Sequence, residues 1–342
     1  QAVMNGNFDV WQRGTSTVYT AGTEMLVADR WKDYGTAHGG TLPTLTRSRQ
    51  LLTSGDIPNS FYYSRLTTNG AGTSLGVSSE HAYYERIEFG TRFLCGASKT
   101  VTLSFYARSS IANKKLGIWL QQYYGTGGSP SSAEHIVGTN WTLTSSWVKY
   151  THTFTTNTLS GKTFGTDNND YLTVVFDVMW GSTEGAKVNS SGVAETYVGS
   201  GTIDLAQVQL NTGSVALPFY PKSFGDEYLA CQRYYQKSFP YATTPANALN
   251  YTGSANRVTD RTGSYQGFEI PLSPKMRTAP TTVTIYSPYI ATANRIVDVN
   301  NSANNYAAYT RNVSENGFTI ESSSSMPTTT LLCVHWTADA EL

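Results

Sequence analysis

The 342-residue sequence predicts an all-β protein built as two tandem antiparallel β-sandwiches joined by one short helix. Three observations carry this expectation. Helical periodicity is almost absent. Short alternating runs rich in β-branched and aromatic side chains recur along the chain, and Gly, Ser, Thr, Asn and Pro separate them. Many short strands with such turns build sandwiches or jelly rolls rather than a parallel sheet covered by helices. A hydrophobic fraction of 39% supplies a sizeable core, and the absence of charge blocks argues against disorder.

In chain order, the clearest strands of the first part are Val101–Arg108, Leu116–Tyr124, Trp147–Phe154, Leu172–Trp180 and Thr202–Leu210. Turn-rich stretches such as Gly125–Ser132 and Gly165–Asp170 lie between them. Pro218 and Pro221 end the last strand, because proline fixes φ and removes a backbone donor. Ser223–Lys237 then breaks the β pattern. Ser223 is placed to cap a helix, Asp226 and Glu227 suit its positive end, and Phe224, Tyr228 and Cys231 share one helical face. The domain boundary is expected here, giving residues 1–222 and 223–342. Beyond it, Tyr234–Phe239, Tyr265–Leu272, Thr281–Tyr286, Gly317–Ser322 and Thr330–Thr337 read as strands of a smaller sandwich. The last strand runs almost to the final residue, as a natural C-terminus would.

Charge narrows the partners. Lys plus Arg is 24 and Asp plus Glu is 24, so bulk charge favours neither nucleic acid nor a membrane surface. No apolar run approaches the roughly 18 residues needed for a membrane span, so no membrane insertion is expected. The opening QAVMNGNFDVW has neither the basic nor the apolar region of a secretory leader. Cys95, Cys231 and Cys333 are odd in number and far apart, which favours buried thiols over a disulfide framework.

Catalytic signals are missing. The five histidines are scattered without zinc-ligand spacing, and there is no Gly-x-Ser-x-Gly, phosphate-binding loop or Gly-x-Gly-x₂-Gly. Glu85 and Glu88 are three apart and so point to opposite faces of a strand. The expectation is a protein that is not an enzyme.

The aromatic residues are the positive signal: 13% of the chain, with 23 Tyr and 7 Trp. Sugar C–H faces stack on aromatic rings while amides and carboxylates take the hydroxyls. Alternation puts Val101, Leu103, Phe105 and Ala107 inward, with Tyr106 and Arg108 outward. It puts Leu116, Ile118 and Leu120 inward and Trp119, Gln121 and Tyr123 outward. In the third run Leu172, Val174, Phe176 and Val178 face in, and Thr173, Asp177 and Met179 face out. If the three strands share a sheet, its outer face displays Tyr106, Arg108, Trp119, Gln121, Tyr123 and Asp177 as a shallow glycan platform. Two other readings stay open: a loop of the same domain covers Trp119, or another subunit buries the face. Trp11, Trp31, Trp141 and Trp147 are assigned to the core or to loop anchoring.

Three blocks carry a family resemblance. NGNFDVWQRGTS at Asn5–Ser16, with ADRW at Ala28–Trp31, resembles the opening of carbohydrate-binding-module-like jelly rolls in bacteriophage tail and virion proteins. YERIEF at Tyr84–Phe89 and KTVTLSFYARSS at Lys99–Ser110 resemble the central strand pair of that domain. Ile203–Tyr235, ending CQRYY, is similar to the junction in the same phage proteins, and the terminal TADAEL fits the group. The resemblance implies an N-terminal jelly roll in a non-enzymatic, fibre- or tail-type surface protein of the virion. It also implies a homotrimer, with host-surface polysaccharide and other virion proteins as partners. Two alternatives remain: a purely structural fibre, tail or capsid-decoration component, and a secreted bacterial carbohydrate-binding or adhesive protein.

The same resemblance implies a structural Ca²⁺ between the first and last strands, where Asn7 or Asp9 and Asp204 stand here. Ca²⁺ requires six to eight hard oxygen ligands, and Asn7 is neutral where an acid is usual. The favoured reading is therefore that Asp9 and Asp204 are ordinary solvated or turn-capping carboxylates. No other cofactor is expected.

Overall fold

The computed structural model describes every residue except 198, 242, 248, 249, 261, 264, 265, 302, 303 and 324. The chain divides into two compact units. The first comprises Gln1–Trp11, Thr15–Phe224 and Leu342, and the second comprises Gln12–Gly14 and Gly225–Glu341.

The first unit runs β1 (Ser16–Val18), β2 (Met25–Leu26), β3 (Trp31–Thr36), β4 (Leu45–Leu51), β5 (Tyr62–Asn69) and β6 (Glu80–Glu88). A one-turn helix α1 (Gly90–Leu94) follows, then β7 (Thr100–Ser109), β8 (Lys115–Tyr123), β9 (Glu134–Thr142), β10 (Val148–Thr155), β11 (Tyr171–Trp180) and β12 (Ser200–Thr212). They form two antiparallel sheets, ordered β1-β4-β5-β12-β7-β10 and β2-β3-β6-β11-β8-β9. The five strands expected here from the sequence agree with β7, β8, β10, β11 and β12 to within a few residues at each end.

The core between the sheets follows the alternation. Leu103, Phe105 and Ala107 of β7 join Leu116, Ile118 and Leu120 of β8 and Leu172, Val174 and Phe176 of β11 in one buried cluster. Trp11 and Trp31 are 1% and 0% exposed and belong to that core, as expected of anchoring tryptophans. Met179 departs from its expected outward position. A β-bulge between Asp177 and Met179 adds a residue to β11, so Val178 and Met179 both reach the core.

The expected central strand pair is also corrected. β6 pairs with β3 and β11 in the second sheet, whereas β7 pairs with β10 and β12 in the first. The two strands lie in opposite sheets, because the chain crosses between sheets through α1 and the turn after it.

The second unit holds α2 (Phe224–Gln232) and eight strands: β13 (Tyr235–Lys237), β14 (Ala255–Val258), β15 (Gly267–Pro271), β16 (Thr282–Tyr286), β17 (Arg295–Asp298), β18 (Asn305–Ser314), β19 (Gly317–Ser322) and β20 (Leu331–Asp339). β20 is the shared strand. Its C-terminal half pairs with β13 and β16, and its N-terminal half with β14 and β17. That position explains the almost unbroken burial of Leu332–Ala338. Ile270, Ile285, Ile296, Phe318, Leu332 and Trp336 meet in one core. In α2, Glu227 and Cys231 are the buried residues, while Phe224 is 49% exposed and so does not complete the expected apolar face. Of the strand expected from Tyr265, residue 265 lies outside the described residues. All three cysteines are buried.

Candidate functional site

The outer face of the second sheet forms a cleft of about 140 Å³, and strand register fixes its layout. In one row across the sheet, Val175 of β11 lies opposite Tyr84 of β6 and Trp119 of β8. On one side of this row, Thr173 lies opposite Arg86 and Gln121. On the other, Ala82 lies opposite Tyr34 and Asp177. Small side chains therefore make the floor, aromatic rings make the walls and polar groups close the ends. Glu80 stands at the far end of β6 from Arg86, six residues or about 20 Å away at the usual strand rise.

The Trp119 wall is anchored. The ring is 6% exposed and packs with Ala82, Tyr84, Val175, Trp180 and Val188. His135 meets it edge-on at 4.8 Å, and Lys187 Nζ lies 4.6 Å from its centroid. Of the readings left open by the sequence, the structure shows the covering loop: the segment after the 3₁₀ turn Glu184–Ala186 lies over the ring. Gly117, two residues before Trp119, permits this approach. A Cβ there would stand 2.5 Å from Val188 Cγ1.

Trp119 Nε1 donates to Asp177 Oδ2 at 2.8 Å, while Asp177 Oδ1 is sealed from solvent with no hydrogen-bond partner. Burial pushes the Asp177 carboxyl well above the usual carboxylate range, and the nearby Glu80 carboxylate adds to the rise. Lys187 bridges Glu80 at 3.1 Å and Glu184 at 2.7 Å. Burial alone would lower the Lys187 pKa, but those two carboxylates raise it above its ordinary value.

At the other end, Arg86 NH2 donates to Glu24 Oε1 at 2.7 Å and Arg86 NH1 to the Leu342 carbonyl oxygen at 2.7 Å. Lys32 Nζ takes Glu24 Oε2 at 2.7 Å. Burial works to raise the Glu24 pKa, but Arg86 and Lys32 hold it below the usual range. Two polar atoms on this side have no partner: Thr173 Oγ1, in a residue 4% exposed, and Arg86 Nε. An unmade bond at a buried polar group costs about 1–3 kcal/mol, so such atoms are uncommon in native folds.

The structure divides the six residues expected on one platform. Trp119, Gln121, Tyr123 and Asp177 belong to the second sheet, with Asp177 beneath Trp119 rather than open to solvent. Tyr123 stacks on Tyr171 at 4.5 Å, one row beyond Gln121. Tyr106 and Arg108 are on β7, hence on the outer face of the first sheet. There Arg108 Nε binds Asp204 Oδ2 at 2.9 Å, and its guanidinium lies 4.5 Å over the Trp147 ring. The single-face expectation failed because local alternation gives the face of a strand and says nothing of which sheet the strand joins. Tyr34, Ala82, Tyr84, Arg86 and Val175 were missed.

Asp204 departs from the solvated or turn-capping carboxylate expected of it. Asp204 is 1% exposed, and both of its oxygens accept from guanidinium groups, with Arg65 Nε at 2.7 Å and Arg65 NH2 at 2.8 Å besides Arg108. Two cations already compensate this carboxylate. Asp9 lies elsewhere, accepting from Asn7 Nδ2 at 3.1 Å beside Asn59 and Phe61. Among the described residues no three His, Cys, Asp or Glu side chains are grouped for a metal ion.

No family model and no curated protein matches this chain. Solved structures similar to it include the N-terminal cellulose-binding domain of Cellulomonas fimi β-1,4-glucanase C, at 14% identity and a TM-score of 0.30, covering 50% of this chain and 90% of that one. A xylan-binding domain of Paenibacillus barcinonensis Xyn10C is similar at 16% identity and a TM-score of 0.32, covering 58% and 92%. The enzymatically active domain of tailspike protein 4 from bacteriophage CBA120 is similar at 11% identity and a TM-score of 0.30, covering 62% of this chain and 21% of that one. Carbohydrate-binding modules and a phage tailspike domain are thus both among the structures this chain is similar to.

Proposed function

We propose that the first unit binds a host-surface saccharide in the cleft on its second sheet, and that the chain is a fibre- or tail-type surface protein of a phage virion. One observation carries the binding reading. Tyr34, Tyr84 and the anchored Trp119 flank a floor of Ala82 and Val175, with Arg86, Thr173 and Gln121 at one end and Glu80 at the other. Tyr34, the least buried of the three rings, offers a stacking surface to a sugar C–H face, Tyr84 and Trp119 back it, and the ends offer hydrogen bonds to hydroxyls. The virion role rests on the sequence blocks at Asn5–Ser16, Tyr84–Phe89, Lys99–Ser110 and Ile203–Tyr235. Host polysaccharide, neighbouring virion proteins and a homotrimer follow from the same resemblance.

Binding without hydrolysis fits the carboxyl groups present. A glycosidase sets two carboxyls across the scissile bond. Here Glu80 is held by Lys187 and Asp177 is sealed beneath Trp119. So small a cleft covers little of its ligand, which sets single-site affinity at about millimolar to micromolar and leaves firm attachment to several copies.

The purely structural alternative has its own support. Val215, Leu217 and Tyr220 are 69%, 51% and 83% exposed in one irregular stretch, as apolar groups awaiting a protein neighbour would be. A glycan array probed with the full chain and with Tyr34→Ala separates the two. The binding reading predicts signals that Tyr34→Ala removes at unchanged melting temperature, whereas the structural reading predicts none.

A further inference from the structure

The cleft carries a more specific signal than aromatic walls. Arg86, Thr173 and Gln121 form one row across β6, β11 and β8, with Thr173 directly opposite both neighbours. Arg86 Nε and Thr173 Oγ1 are sealed polar atoms with no protein partner, although the large majority of buried side-chain polar atoms are paired in native proteins. Arg86 Nε can only donate, and the Thr173 hydroxyl and the Gln121 amide donate as well.

We propose that the saccharide is acidic and that its carboxylate docks at the Arg86–Thr173–Gln121 row. This rests on the glycan reading of the same cleft.

The donor balance argues for a carboxylate over a neutral hydroxyl. A carboxylate has two oxygens and about four acceptor sites, and no hydrogen of its own to place. A ligand hydroxyl must also donate, and the acceptors bonded to Arg86 are committed. Glu24 Oε1 accepts from Arg86 NH2 and from the Tyr84 hydroxyl, and Glu24 Oε2 accepts from Lys32. The Leu342 carbonyl oxygen accepts from Lys32 and Arg86. For such a hydroxyl there remain the Gln121 amide oxygen and Thr173 Oγ1, so the preference for a carboxylate rests on the unpartnered donor and the charge of Arg86. Charge-assisted bonds from guanidinium to carboxylate are also the stronger kind. Arg86 and Gln121 are only half-buried, so their side chains can swing to admit the ligand, while Thr173 is fixed on the central strand. The opposite end does not compete for a carboxylate. There Glu80 and Glu184 share one lysine, and a second anion beside them would be repelled.

The test uses the full chain titrated with alginate, polygalacturonate and hyaluronate, each before and after chemical reduction of its carboxyls to alcohols. Dextran sulfate serves as the control for bulk charge. Thr173→Val keeps the shape and removes the hydroxyl, and Arg86→Gln removes the guanidinium. The proposal expects at least one acidic polymer to bind at least tenfold more tightly than its reduced form. It also expects each variant to lose most of that preference while keeping weak binding to the reduced form. Equal affinity for acidic and reduced polymers, with Tyr34→Ala abolishing both, overturns the carboxylate proposal and leaves the glycan reading standing. A preference that survives both variants places the carboxylate elsewhere and also overturns it, as does equal binding of dextran sulfate. Binding to nothing on this panel, nor to any sugar on the glycan array, removes both readings.

Discussion

The two outer faces of the first unit are made of similar parts and end in opposite states. The first sheet's outer side presents Tyr63, Tyr106 and Trp147 with Arg65, Arg108 and Asp204; there the carboxylate accepts three bonds from two guanidinium groups, and one sealed polar atom, Trp147 Nε1, has no partner. The second sheet presents Tyr34, Tyr84 and Trp119 with Arg86, Thr173 and Asp177, and three of its sealed polar atoms have no partner. Aromatic, cationic and acidic composition is therefore a poor guide to a site. What separates the two faces is whether their charged groups are already satisfied: the ionic oxygens and guanidinium groups of the first are paired, whereas Arg86 Nε and Asp177 Oδ1 of the second have no partner.

Substitutions sharpen this contrast. The largest effect is expected from Trp119→Ala. Removing a buried indole costs about 3–5 kcal/mol, and Asp177 also loses its one donor. Urea denaturation should show that loss, together with loss of saccharide binding. An unchanged midpoint would mean that the ring is not anchored as described.

Asp204→Asn on the first sheet comes next. It strands two guanidinium groups and is expected to cost about 3 kcal/mol, the lower end for breaking a buried pair because both arginines are partly solvated. Saccharide binding by the folded variant should be unchanged. If binding falls in step with stability, the two faces are not independent.

Asp177 offers a pH test. Its folded-state pKa lies above its unfolded value, so the folded protein holds a proton that the unfolded chain releases. Stability is fully present below the unfolded carboxylate pKa and falls as pH rises through the folded value. Asp177→Asn cannot ionise and still accepts from Trp119. Melting temperature followed upward from about pH 4 should fall less steeply for the variant, leaving it the more stable form at the upper end. Parallel curves would contradict the raised pKa.

The smallest stability changes are expected at the mouth of the cleft. Thr173→Val replaces an orphaned hydroxyl with a methyl group and should leave stability equal or higher by up to about 1 kcal/mol. A clear loss in thermal unfolding would reveal a hydrogen bond that the structure does not contain.

Much of this fold was legible in the sequence, and the reason for the misses is specific. β7, β8 and β11 have apolar inward positions, so alternation found them. β3, β4 and β6 invert the pattern. Asp33 accepts from Arg47 Nε at 2.9 Å and pairs with His81 Nε2 at 2.7 Å, all three being at most 2% exposed, and Glu85 is also buried. Burial would raise the Asp33 pKa, but Arg47 and His81 hold it well below the usual range. Charged inward residues beside aromatic outward ones hid β3 and left β6 visible only through its resemblance block, so Tyr34, Tyr84 and Arg86 were not assigned to the site. The one local hint was Ala82, Tyr84 and Arg86 alternating with Tyr83, Glu85 and Ile87. Even that could not place β6 beside β11, since pairing across about ninety residues is set by the whole fold.

On the proposed glycan reading, the second sheet and not the first receives the saccharide. Nuclear magnetic resonance of the chain with its tryptophan indoles labelled tests it directly, using the polysaccharide that gives the strongest array signal as titrant. The account predicts that the Trp119 Nε1–H resonance shifts progressively on titration while that of Trp147, on the first sheet, stays in place. A shift at Trp147 with Trp119 unmoved would contradict it.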